Sequence, residues 1–199
     1  MAPQRKSFPR LFLARSDPFR LSGERVYLRA PERGDWEEWA SLRAQSRSFL
    51  EPWEPSWPAD ALSRFGFRSR VTRYAEDWRT DQAYNFFIFS NDDVLVGGVG
   101  LSNVRRGVSE TASLGYWIGE PFARQGLMTA ALPPVLDFSF DRLRLHRVEA
   151  ACLPTNVPSR ALLERIGFRQ EGYARQYLCI AGKWQDHLLF AMLRGDWRP

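Results

Sequence analysis

The feature that most constrains this chain is a run over residues 115–131, G-Y-W-I-G-E-P-F-A-R-Q-G-L-M-T-A-A, in the second half of the 199-residue sequence. Its first residues favour a β-strand, a turn with Arg124 and Gly126 follows, and an apolar, helix-forming segment begins directly after the turn. The first N–H groups of a helix lack intrahelical partners and lie at the positive end of the helix dipole. This order therefore predicts a phosphate-binding site at the turn.

The composition of the turn excludes two common nucleotide-binding motifs. The chain contains no G-x-x-x-x-G-K-[ST], which excludes a P-loop, and no G-x-G-x-x-G after the strand, which excludes the Rossmann fingerprint. A turn with one glycine is also typical of a plain connection between a strand and a helix. The segments downstream are therefore needed to distinguish a phosphate-binding turn from a plain connection.

Composition limits the class of protein. With 199 residues, of which 44% are hydrophobic, the chain is long enough for one domain with a core. No apolar run approaches the roughly 20 residues that a membrane helix needs. Residues 1–20 are basic and lack the apolar centre of a signal peptide. We therefore expect a basic N-terminal arm over residues 1–20, a single domain over residues 21–199 and a cytoplasmic protein.

Charge and cysteine content narrow the range of partners. The net charge of +5 suits an anionic partner such as a polyphosphate, an acidic peptide or a ribosome surface, although a basic excess also serves solubility alone. The chain has no Lys/Arg-rich run with interleaved aromatic residues, so no nucleic-acid-binding motif is predicted. Cys152 and Cys179 form no C-x-x-C motif, which argues against a disulfide framework and against a metal site.

Sequence patterns predict the element order β-α-α-β-β-β-α-β-α-β-β. The predicted strands cover residues 25–29, 83–90, 94–101, 110–118, 147–153, one or two strands within 168–184, and 187–193. The predicted helices begin at Asp35, with Glu38 completing a capping box, at Asp60, after Gly126 and at Asn156. Pro133 and Pro134 predict a kinked or divided third helix. The order implies a mixed sheet with helices on both faces.

Five short segments occur in an order that is typical of one family. They are Gly115-Tyr116-Trp117-Ile118, Arg124-Gln125-Gly126-Leu127-Met128-Thr129, Arg147-Val148-Glu149-Ala150, Asn156-x-x-Ser159-Arg160 and Gly167-Phe168. Together they resemble the GNAT superfamily of N-acetyltransferases, and within it the RimJ/RimL-type ribosomal-protein-alanine N-acetyltransferases. A further segment over residues 49–55, F-L-E-P-W-E-P, resembles the RimJ branch. The superfamily's [Q/R]-x-x-G-x-[G/A] loop would begin at Ala123 and end at Met128, and of its defined positions only Gly126 matches.

The resemblance covers roughly residues 21–197 and implies both fold and co-substrate. The implied fold is a GNAT-like single domain of the α/β (α+β) class, with a mixed, mostly antiparallel twisted sheet of about seven strands flanked by four helices. It includes a V-shaped splay between the fourth and fifth strands. The implied co-substrate is acetyl-CoA, with no metal.

The phosphate groups of acetyl-CoA are expected at the backbone N–H groups of residues 124–128, where Thr129 adds its hydroxyl. By resemblance, the pantetheine arm pairs with residues 116–118 like an additional strand. A backbone N–H near Trp117 or Ile118 could then stabilise the oxyanion. The expected cofactor-binding residues are Tyr116, Trp117, Ile118, Arg124, Gln125, Gly126, Leu127, Met128, Thr129, Asn156 and Ser159.

Three residues are candidates for the chemical step. In this family an Asn and a Ser at the positions of Asn156 and Ser159 lie near the thiol, so Ser159 is expected to donate a hydrogen bond to the departing thiolate. The alternative is that Asn156 only caps the helix, and one side chain can fill both roles. Glu110, at the start of the central strand, is the first choice for the acceptor of the amine proton.

Several other titratable residues remain as alternatives or have structural roles. Glu149 is a second candidate for the proton acceptor, and an ion pair with Arg147 is its competing structural role. Two further carboxylates flank the tryptophan-containing loop, Glu51 and Glu54. Structural roles are predicted for His146, His187 and Cys152, the last because nothing adjacent lowers the pKa of its thiol.

The loop over residues 48–58 contains three prolines and two tryptophans. Loops with large aromatic residues often line a binding cleft. The RimJ resemblance favours an acceptor wall with Trp53 and Glu54 as substrate-binding residues, and the alternative is that the tryptophans close the edge of the core.

The implied activity is direct acetyl transfer to a primary amine, with the N-terminal α-amine of a ribosomal protein as the first expectation. A small amine such as an amino sugar, a polyamine or an antibiotic is the alternative acceptor, and the positive net charge disfavours polycationic ones. The divergent loop motivates a third interpretation, a CoA-binding or ribosome-associated module without catalysis. The sequence leaves open whether the protein is a monomer or a homodimer.

Overall fold

The structure is a computed structural model and describes residues 19–198. Its strands are β1 (Arg20–Ser22), β2 (Val26–Arg29), β3 (Tyr84–Ser90), β4 (Leu95–Arg105), β5 (Thr111–Ile118), β6 (Arg147–Cys152), β7 (Arg169–Ile180) and β8 (Lys183–Leu193). Its α-helices are α1 (Trp36–Gln45), α2 (Arg47–Leu50), α3 (Arg64–Arg79), α4 (Leu127–Asp137) and α5 (Val157–Ile166). The expected N-terminal arm lies outside the described residues except for Phe19 and Arg20, and Arg20 begins β1.

The strands form one sheet in the order β1-β2-β3-β4-β5-β6-β8-β7. Every neighbouring pair is antiparallel except β5 and β6, which are parallel because the chain crosses over through α4 between them. The predicted fold class, a mixed and mostly antiparallel sheet flanked by helices, is confirmed. The sheet has eight strands instead of about seven because β1, a three-residue edge strand, pairs with β2. The single-turn helix α2 is also additional to the prediction.

The two parallel strands separate part of the way along their length. β5 pairs with β6 from Thr111–Arg147 to Leu114–Ala150, and the pairing ends there. Residues 115–118 stay paired with β4 on their other side, as far as Ile118–Gly97. Within residues 19–198, this part of β5 therefore has a free edge that faces the gap. The V-shaped splay that the family resemblance implies is confirmed between β5 and β6.

Side chains of the central strands are buried on both faces of the sheet. Phe86 and Ile88 of β3 belong to the core beneath α4 and α5, whereas Phe87 and Phe89 belong to the core beneath α1 and α3. Successive residues of a strand point to opposite faces, so the continuous apolar run F-F-I-F supplies both cores at once. Trp39 of α1 also lies in the second core.

The third predicted helix, for which the two prolines predict a kink or a division, runs past both prolines and is divided after Asp137, where α4 ends. α4 continues through Pro133 and Pro134 to Asp137, and a π-helical turn over Phe138–Arg142 follows. A proline at position 134 supplies no N–H for the Ala130 carbonyl. That carbonyl faces the turn between β1 and β2, where a Cβ added to Gly23 would lie 2.6 Å from it. Close packing against a neighbouring glycine accommodates the interrupted hydrogen-bond pattern.

Two predicted helix starts need correction. The Asp35 carboxylate does not cap α1, because it accepts the Glu32 N–H at 2.7 Å and pairs with Arg29. Glu38 likewise is not part of a capping box, since its carboxylate accepts the Leu95 N–H at 2.6 Å. The second helix begins at Arg64 instead of Asp60, and Ser63 is its N-cap. The Asp35 and Glu38 carboxylates form other contacts instead of capping α1, and the second helix begins later than the local pattern indicates.

Candidate active site

The turn between β5 and α4 has the backbone conformation of an anion-binding loop. Arg124 and Gly126 both have left-handed conformations, with φ of +60° and +77°. Gly126 is the N-cap of α4, and the first intrahelical bond runs from the Ala130 N–H to the Gly126 carbonyl at 3.0 Å. The N–H groups of residues 127–129 precede that bond and therefore have no intrahelical acceptor. The structure thus places the predicted phosphate-binding residues at an open helix N-terminus.

A residue that sequence reasoning missed holds this loop in place. Arg25, which precedes β2, donates a hydrogen bond from Nη1 to the Gln125 carbonyl at 2.7 Å. The Gln125 side chain in turn donates to the Pro121 carbonyl at 2.7 Å. A Cβ on Gly126 would lie 3.6 Å from the same Arg25 nitrogen, so the guanidinium lies beside the loop. No local pattern reveals this contact, because it joins residues 100 positions apart.

The loop carries two cations that are free of ion pairs. No carboxylate within residues 19–198 pairs with Arg25 or Arg124. Both residues are exposed. Together with the helix N-terminus, the two guanidinium groups suit a ligand that carries several phosphate charges.

Residues 116–118 line the open side of the splay. The side chains of Tyr116 and Ile118 pack against the core beneath α4 and α5, and Trp117 packs against the opposite core. Both faces of this strand segment are therefore fixed by packing, while its edge towards β6 has no strand partner in the described residues. A free strand edge can hydrogen-bond an extended, amide-containing ligand as an additional strand.

The Tyr116 and Ser159 hydroxyls meet across the splay, with 2.8 Å between the two oxygens. Ser159 lies in the first turn of α5, where its N–H donates to Asn156 Oδ1 at 3.1 Å. The N-cap role that the sequence predicts for Asn156 is therefore confirmed. The structure thus brings predicted residues from β5 and α5 together at the open end of the splay.

Burial sets the protonation state of this group. It raises the pKa of Tyr116 to about 12, so the phenol remains a neutral hydrogen-bond donor at physiological pH. Burial also raises the pKa of the Cys152 thiol, and a hydrogen bond from Ser159 opposes this effect. A buried, protonated thiol is a poor nucleophile. This environment agrees with the structural role predicted for Cys152.

The position of Glu110 contradicts its predicted role as the proton acceptor. Glu110 precedes β5 at the closed end of the splay, where its carboxylate accepts from Arg106 and from the Gly107 N–H, each at 3.1 Å. Trp117 lies seven residue steps further along the chain, roughly 23 Å at 3.3 Å per step. An amine that reacts at the open end would lie far beyond hydrogen-bond reach of Glu110. The prediction failed because strand position alone does not indicate at which end the splay opens.

The other predicted alternatives have structural partners. Glu149 pairs with Arg147 at 2.8 Å, which confirms the competing structural role. Glu51 pairs with Arg47 at 2.6 Å on the surface. His187 is buried, with Nδ1 3.0 Å from the Gln185 carbonyl. None of these groups is a free base at the open end of the splay.

A cavity of about 200 Å³ lies on the α1/α3 side of the sheet. Among its lining residues are Trp39, Arg43, Glu54, Trp57 and Arg70. The predicted substrate residue Glu54 thus lines the cavity, whereas Trp53 does not and lies in the short helical turn before it. The aromatic wall on this loop is Trp57, three residues beyond the predicted pair.

Glu54 is held by contacts from three elements. Its carboxylate accepts from Arg43 Nη1 at 2.7 Å and from Trp57 Nε1 at 2.9 Å. Its carbonyl accepts the Ala181 N–H at 2.9 Å, which joins the turn between β7 and β8 to the loop. Arg43 therefore neutralises the carboxylate inside the cavity.

A stack of side chains joins the cavity to the splay. The Arg43 guanidinium lies 4.2 Å from the Trp57 ring centroid and 4.9 Å from the Trp117 ring centroid. The Trp117 indole lies directly on β4, since a Cβ on Gly98 would be 2.5 Å from its Nε1. Gly98 of β4 thus allows this close approach. An acceptor in the cavity and a ligand in the splay would meet at the end of β5.

These two binding regions suit a transfer reaction between two substrates. A phosphate-binding helix terminus beside a free strand edge fits a molecule with phosphates at one end and an amide-containing arm behind them, which is the chemistry of CoA. The hydroxyls of Tyr116 and Ser159 lie where the end of such an arm would lie. Fold and site together define the class as an acyl-CoA-dependent acyltransferase.

Comparison with known proteins identifies the family. The model of the acetyltransferase (GNAT) domain matches residues 25–169. A probable N-acetyltransferase, YjcK, from Bacillus subtilis (strain 168) is 38% identical over 88% of this chain and 98% of its own length. The [ribosomal protein uS5]-alanine N-acetyltransferase of Escherichia coli (strain K12) is 35% identical over 90% of this chain and 93% of its own. The chain therefore belongs to the GNAT acetyltransferase family and is an acetyl-CoA-dependent acyltransferase.

Solved structures support the same assignment. Mycobacterium smegmatis RimJ, in complex with CoA-disulfide, matches with a TM-score of 0.84 and 34% identity over 88% of each chain. The ribosomal-protein-S5-alanine acetyltransferase from Vibrio fischeri matches with a TM-score of 0.83 and 29% identity over 91% of this chain and all of its own. In the part of the chain that the structure describes, no helix is long and apolar enough to cross a membrane. The same residues contain no cluster of His, Cys, Asp and Glu suited to a metal ion.

Proposed function

We propose that this enzyme transfers the acetyl group of acetyl-CoA directly to the N-terminal α-amine of a protein, with a ribosomal protein in the cytoplasm as the natural acceptor. The names of the E. coli and V. fischeri relatives support this choice of acceptor. The main observation that supports this acceptor is the charge of the cavity. Its lining includes the guanidinium groups of Arg43 and Arg70 and one carboxylate, Glu54, which Arg43 already neutralises.

The charge of the cavity separates the candidate acceptors. Polyamines and aminoglycosides carry several positive charges and need a site with uncompensated carboxylates. The α-amine of a polypeptide carries one charge and becomes neutral near physiological pH, since its pKa is about 8. A cavity with excess positive charge therefore favours a polypeptide over a polycation. The same charge helps to keep the bound amine unprotonated, which its attack requires.

The proposed step forms the bond between the amine nitrogen and the acetyl carbon and breaks the bond between that carbon and sulfur. A protonated amine loses two protons, of which one goes to solvent and one ends on the departing sulfur. Ser159, which contacts Tyr116 and Asn156, is proposed to donate a hydrogen bond to that sulfur. A backbone N–H near Trp117 or Ile118 is proposed to stabilise the oxyanion.

Water within the cavity is the proposed acceptor of the first proton. The Glu54 carboxylate already accepts hydrogen bonds from Arg43 and Trp57, which leaves it little capacity as a base. Glu110 lies at the wrong end of β5, and Glu149 pairs with Arg147. Direct transfer needs no acyl-enzyme, and the buried thiol of Cys152 agrees with that order of events.

The phosphate loop is proposed to hold acetyl-CoA through the N–H groups of residues 127–129, with Arg124, Gln125 and Gly126 shaping the turn. Residues 116–118 bind the pantetheine arm through the free edge of β5. Gly126 has a φ of +77°, a conformation that side chains disfavour, and an acidic side chain there would also repel phosphate. Gly126→Asp should therefore abolish binding of acetyl-CoA.

The test is an assay of CoA thiol release with mass detection of the product. Purified enzyme and acetyl-CoA are combined with peptides that begin with Ala or Ser, with the same peptides blocked at the N-terminus, and with spermidine and an aminoglycoside. We expect turnover only on free peptide N-termini, with a reduction of about 100-fold in Ser159→Ala and its loss in Gly126→Asp. Turnover on the small amines alone would overturn the acceptor and keep the reaction. Binding of acetyl-CoA without turnover on any amine would instead indicate the non-catalytic module.

A further inference from the structure

The buried imidazole of His187 has a hydrogen-bond partner at only one of its two nitrogens. Its side chain is 3% exposed, and Nδ1 lies 3.0 Å from the Gln185 carbonyl. A carbonyl can only accept, so Nδ1 carries the proton, and in a neutral imidazole Nε2 then offers a lone pair. No group within residues 19–198 donates to Nε2. Because buried polar atoms are normally hydrogen-bonded, we expect a water or a ligand as its partner.

The strand registers place His187 beside the open end of the splay. Leu114 pairs with Ala150 in the last row that joins β5 to β6, and Ala150 pairs with Phe190 of β8. β8 is antiparallel to β6, so three residues further towards the open end the same row count reaches Trp117 on β5 and His187 on β8. β6 has ended one residue before that row. His187 and Trp117 therefore flank the gap.

Both of these side chains face the same side of the sheet. Leu188 and Phe190 belong to the core beneath α4 and α5, and successive residues of a strand point to opposite faces, so His187 faces the other side. Trp117 packs against the core on that other side, where the cavity also lies. An amine that moves from the cavity to the splay therefore arrives beside the imidazole.

The imidazole is held in place by two contacts. The Tyr177 ring of β7 meets it edge-on, with 5.7 Å between the ring centroids and 70° between the planes. The Gln185 carbonyl fixes Nδ1. The adjacent carboxylate, Asp186, points to the opposite face, where it accepts from the Tyr173 hydroxyl. Nε2 is therefore the ring atom left to bind a molecule at the gap.

The width of the gap favours an indirect contact with the amine. Neighbouring strands are about 4.8 Å apart, so β5 and β8 are separated by about 10 Å even where β6 fills the space between them. Side chains stand roughly perpendicular to a sheet, which puts the imidazole about 5 Å to the side of the middle of the gap. One direct hydrogen bond spans about 2.8 Å, whereas two through one water span about 5.6 Å. A single water therefore fits between Nε2 and an amine in the gap.

We propose that His187 holds the water that accepts the first proton of the acceptor amine. Nε2 accepts a hydrogen bond from this water, which turns the water oxygen towards the amine. The proton leaves the amine nitrogen for the water oxygen and passes on to solvent, and the nitrogen lone pair then attacks the acetyl carbon. His187 contacts the water and not the substrate, so it is a positioning residue. This inference rests on the proposed function, in which water is the acceptor of this proton.

The test makes the same substitution at each of the two histidines of the chain. His187→Leu should lower kcat/KM for a peptide that begins with Ala about tenfold at pH 7, less than the roughly 10²–10⁴-fold effect of a group that takes the proton itself. At pH 9.5 the loss should shrink to about twofold or less, because an α-amine with a pKa of about 8 arrives without the proton. His146→Leu is the matched control, since His146 is exposed, precedes β6 at the closed end of the splay and should behave like the wild type at both pH values.

A conservative variant separates positioning from packing. His187→Gln keeps a hydrogen-bond acceptor near the end of the side chain and should retain at least about a third of the wild-type kcat/KM at pH 7. The affinity for CoA, measured by titration calorimetry, should be the same in the wild type and in both His187 variants. This measurement also shows that each variant is folded.

The tautomer of the ring can be measured without changing His187. When histidine labelled at its ring nitrogens is incorporated into His146→Leu, the remaining nitrogen NMR signals belong to His187. At pH 8 we expect a proton on Nδ1 and none on Nε2. A proton on Nε2 would leave no lone pair for the water and would overturn the inference.

The kinetic outcomes distinguish this inference from the proposed function. Equal losses at pH 7 and pH 9.5 in His187→Leu would assign the ring a structural role and overturn the inference. Wild-type kcat/KM in His187→Leu would also overturn it, and turnover of the peptide would leave the proposed function intact. Failure of the wild type to acetylate peptides while small amines react would instead overturn the proposed acceptor, and this inference with it.

Discussion

The hydroxyl of Tyr116 lies 2.8 Å from that of Ser159, and this contact bridges the gap that opens where β5 and β6 separate. The two groups come from β5 and α5, and Asn156 fixes the second by accepting the Ser159 N–H. Tyr116 therefore orients Ser159 at the proposed position of the thiolate and is a positioning residue. From the sequence, this strand was assigned a role only through its backbone, so this role of the Tyr116 side chain was not predicted.

Ser159→Ala should lower kcat by about 100-fold and change KM for acetyl-CoA little, because the lost hydrogen bond forms with the departing sulfur. Tyr116→Phe should cause a smaller loss. The double variant should be no worse than Ser159→Ala alone, since the two hydroxyls act as one unit. Steady-state kinetics of the four proteins measure the coupling, and additive losses would show that the contact has no role in turnover.

The pKa of Tyr116, which burial raises to about 12, predicts a specific loss of stability in alkali. An unfolded tyrosine titrates near 10, so above that pH the unfolded state releases the proton while the folded state retains it. Stability therefore falls between about pH 10 and pH 12, by roughly 1 kcal/mol in the first pH unit. Urea unfolding at pH 9, 10 and 11 should show a steeper decline for the wild type than for Tyr116→Phe. Equal slopes would mean that this phenol titrates normally.

Arg25→Gln should raise KM for acetyl-CoA about tenfold and leave kcat nearly unchanged, because Arg25 holds the Gln125 carbonyl and adds a cation to the phosphate loop. Arg105→Gln removes an exposed arginine far from the loop and is the matched control. Titration calorimetry with CoA gives the affinity directly. An unchanged affinity in Arg25→Gln would restrict Arg25 to a surface contact.

Gly98→Ala should displace the Trp117 indole, because the new Cβ would lie 2.5 Å from its Nε1. Repacking of this kind typically costs about 1–3 kcal/mol in unfolding free energy. It should also lower kcat/KM for the peptide, since Trp117 joins the cavity to the splay. At Gly34 a Cβ meets nothing within 4 Å, so Gly34→Ala is the control in thermal unfolding and in the assay. Wild-type behaviour of Gly98→Ala would show that the contact is unimportant.

Features that arise from neighbouring residues could be predicted from the sequence. The strand, the glycine turn and the helix that form the phosphate loop are contiguous, and their order alone indicates an anion site. The N-cap at Asn156 and the left-handed Gly167 that ends α5 also follow from local residue preferences. The mixed sheet follows from the order of alternating and helical patterns.

Features that depend on distant contacts could not be predicted in this way. Arg25 reaches the loop across 100 positions, and the sequence around it indicates only a strand. The position of Glu110 before a central strand suggests a base, but β5 and β6 pair beside it and separate at the other end. The neutralisation of Glu54 by Arg43 likewise depends on how α1 packs against the loop. Each of these contacts is set by tertiary packing, on which local propensity has no bearing.

The most direct test of the proposed activity is to locate the acetyl group on a peptide that offers two different amines. The peptide begins with Ala and contains one lysine, and it is analysed by tandem mass spectrometry after incubation with the enzyme and acetyl-CoA. We expect a single acetyl group on the N-terminal α-amine, formed about 100-fold more slowly in a parallel reaction with Ser159→Ala. Acetylation of the lysine, or of neither amine, would contradict the assignment of this enzyme as a protein N-terminal acetyltransferase.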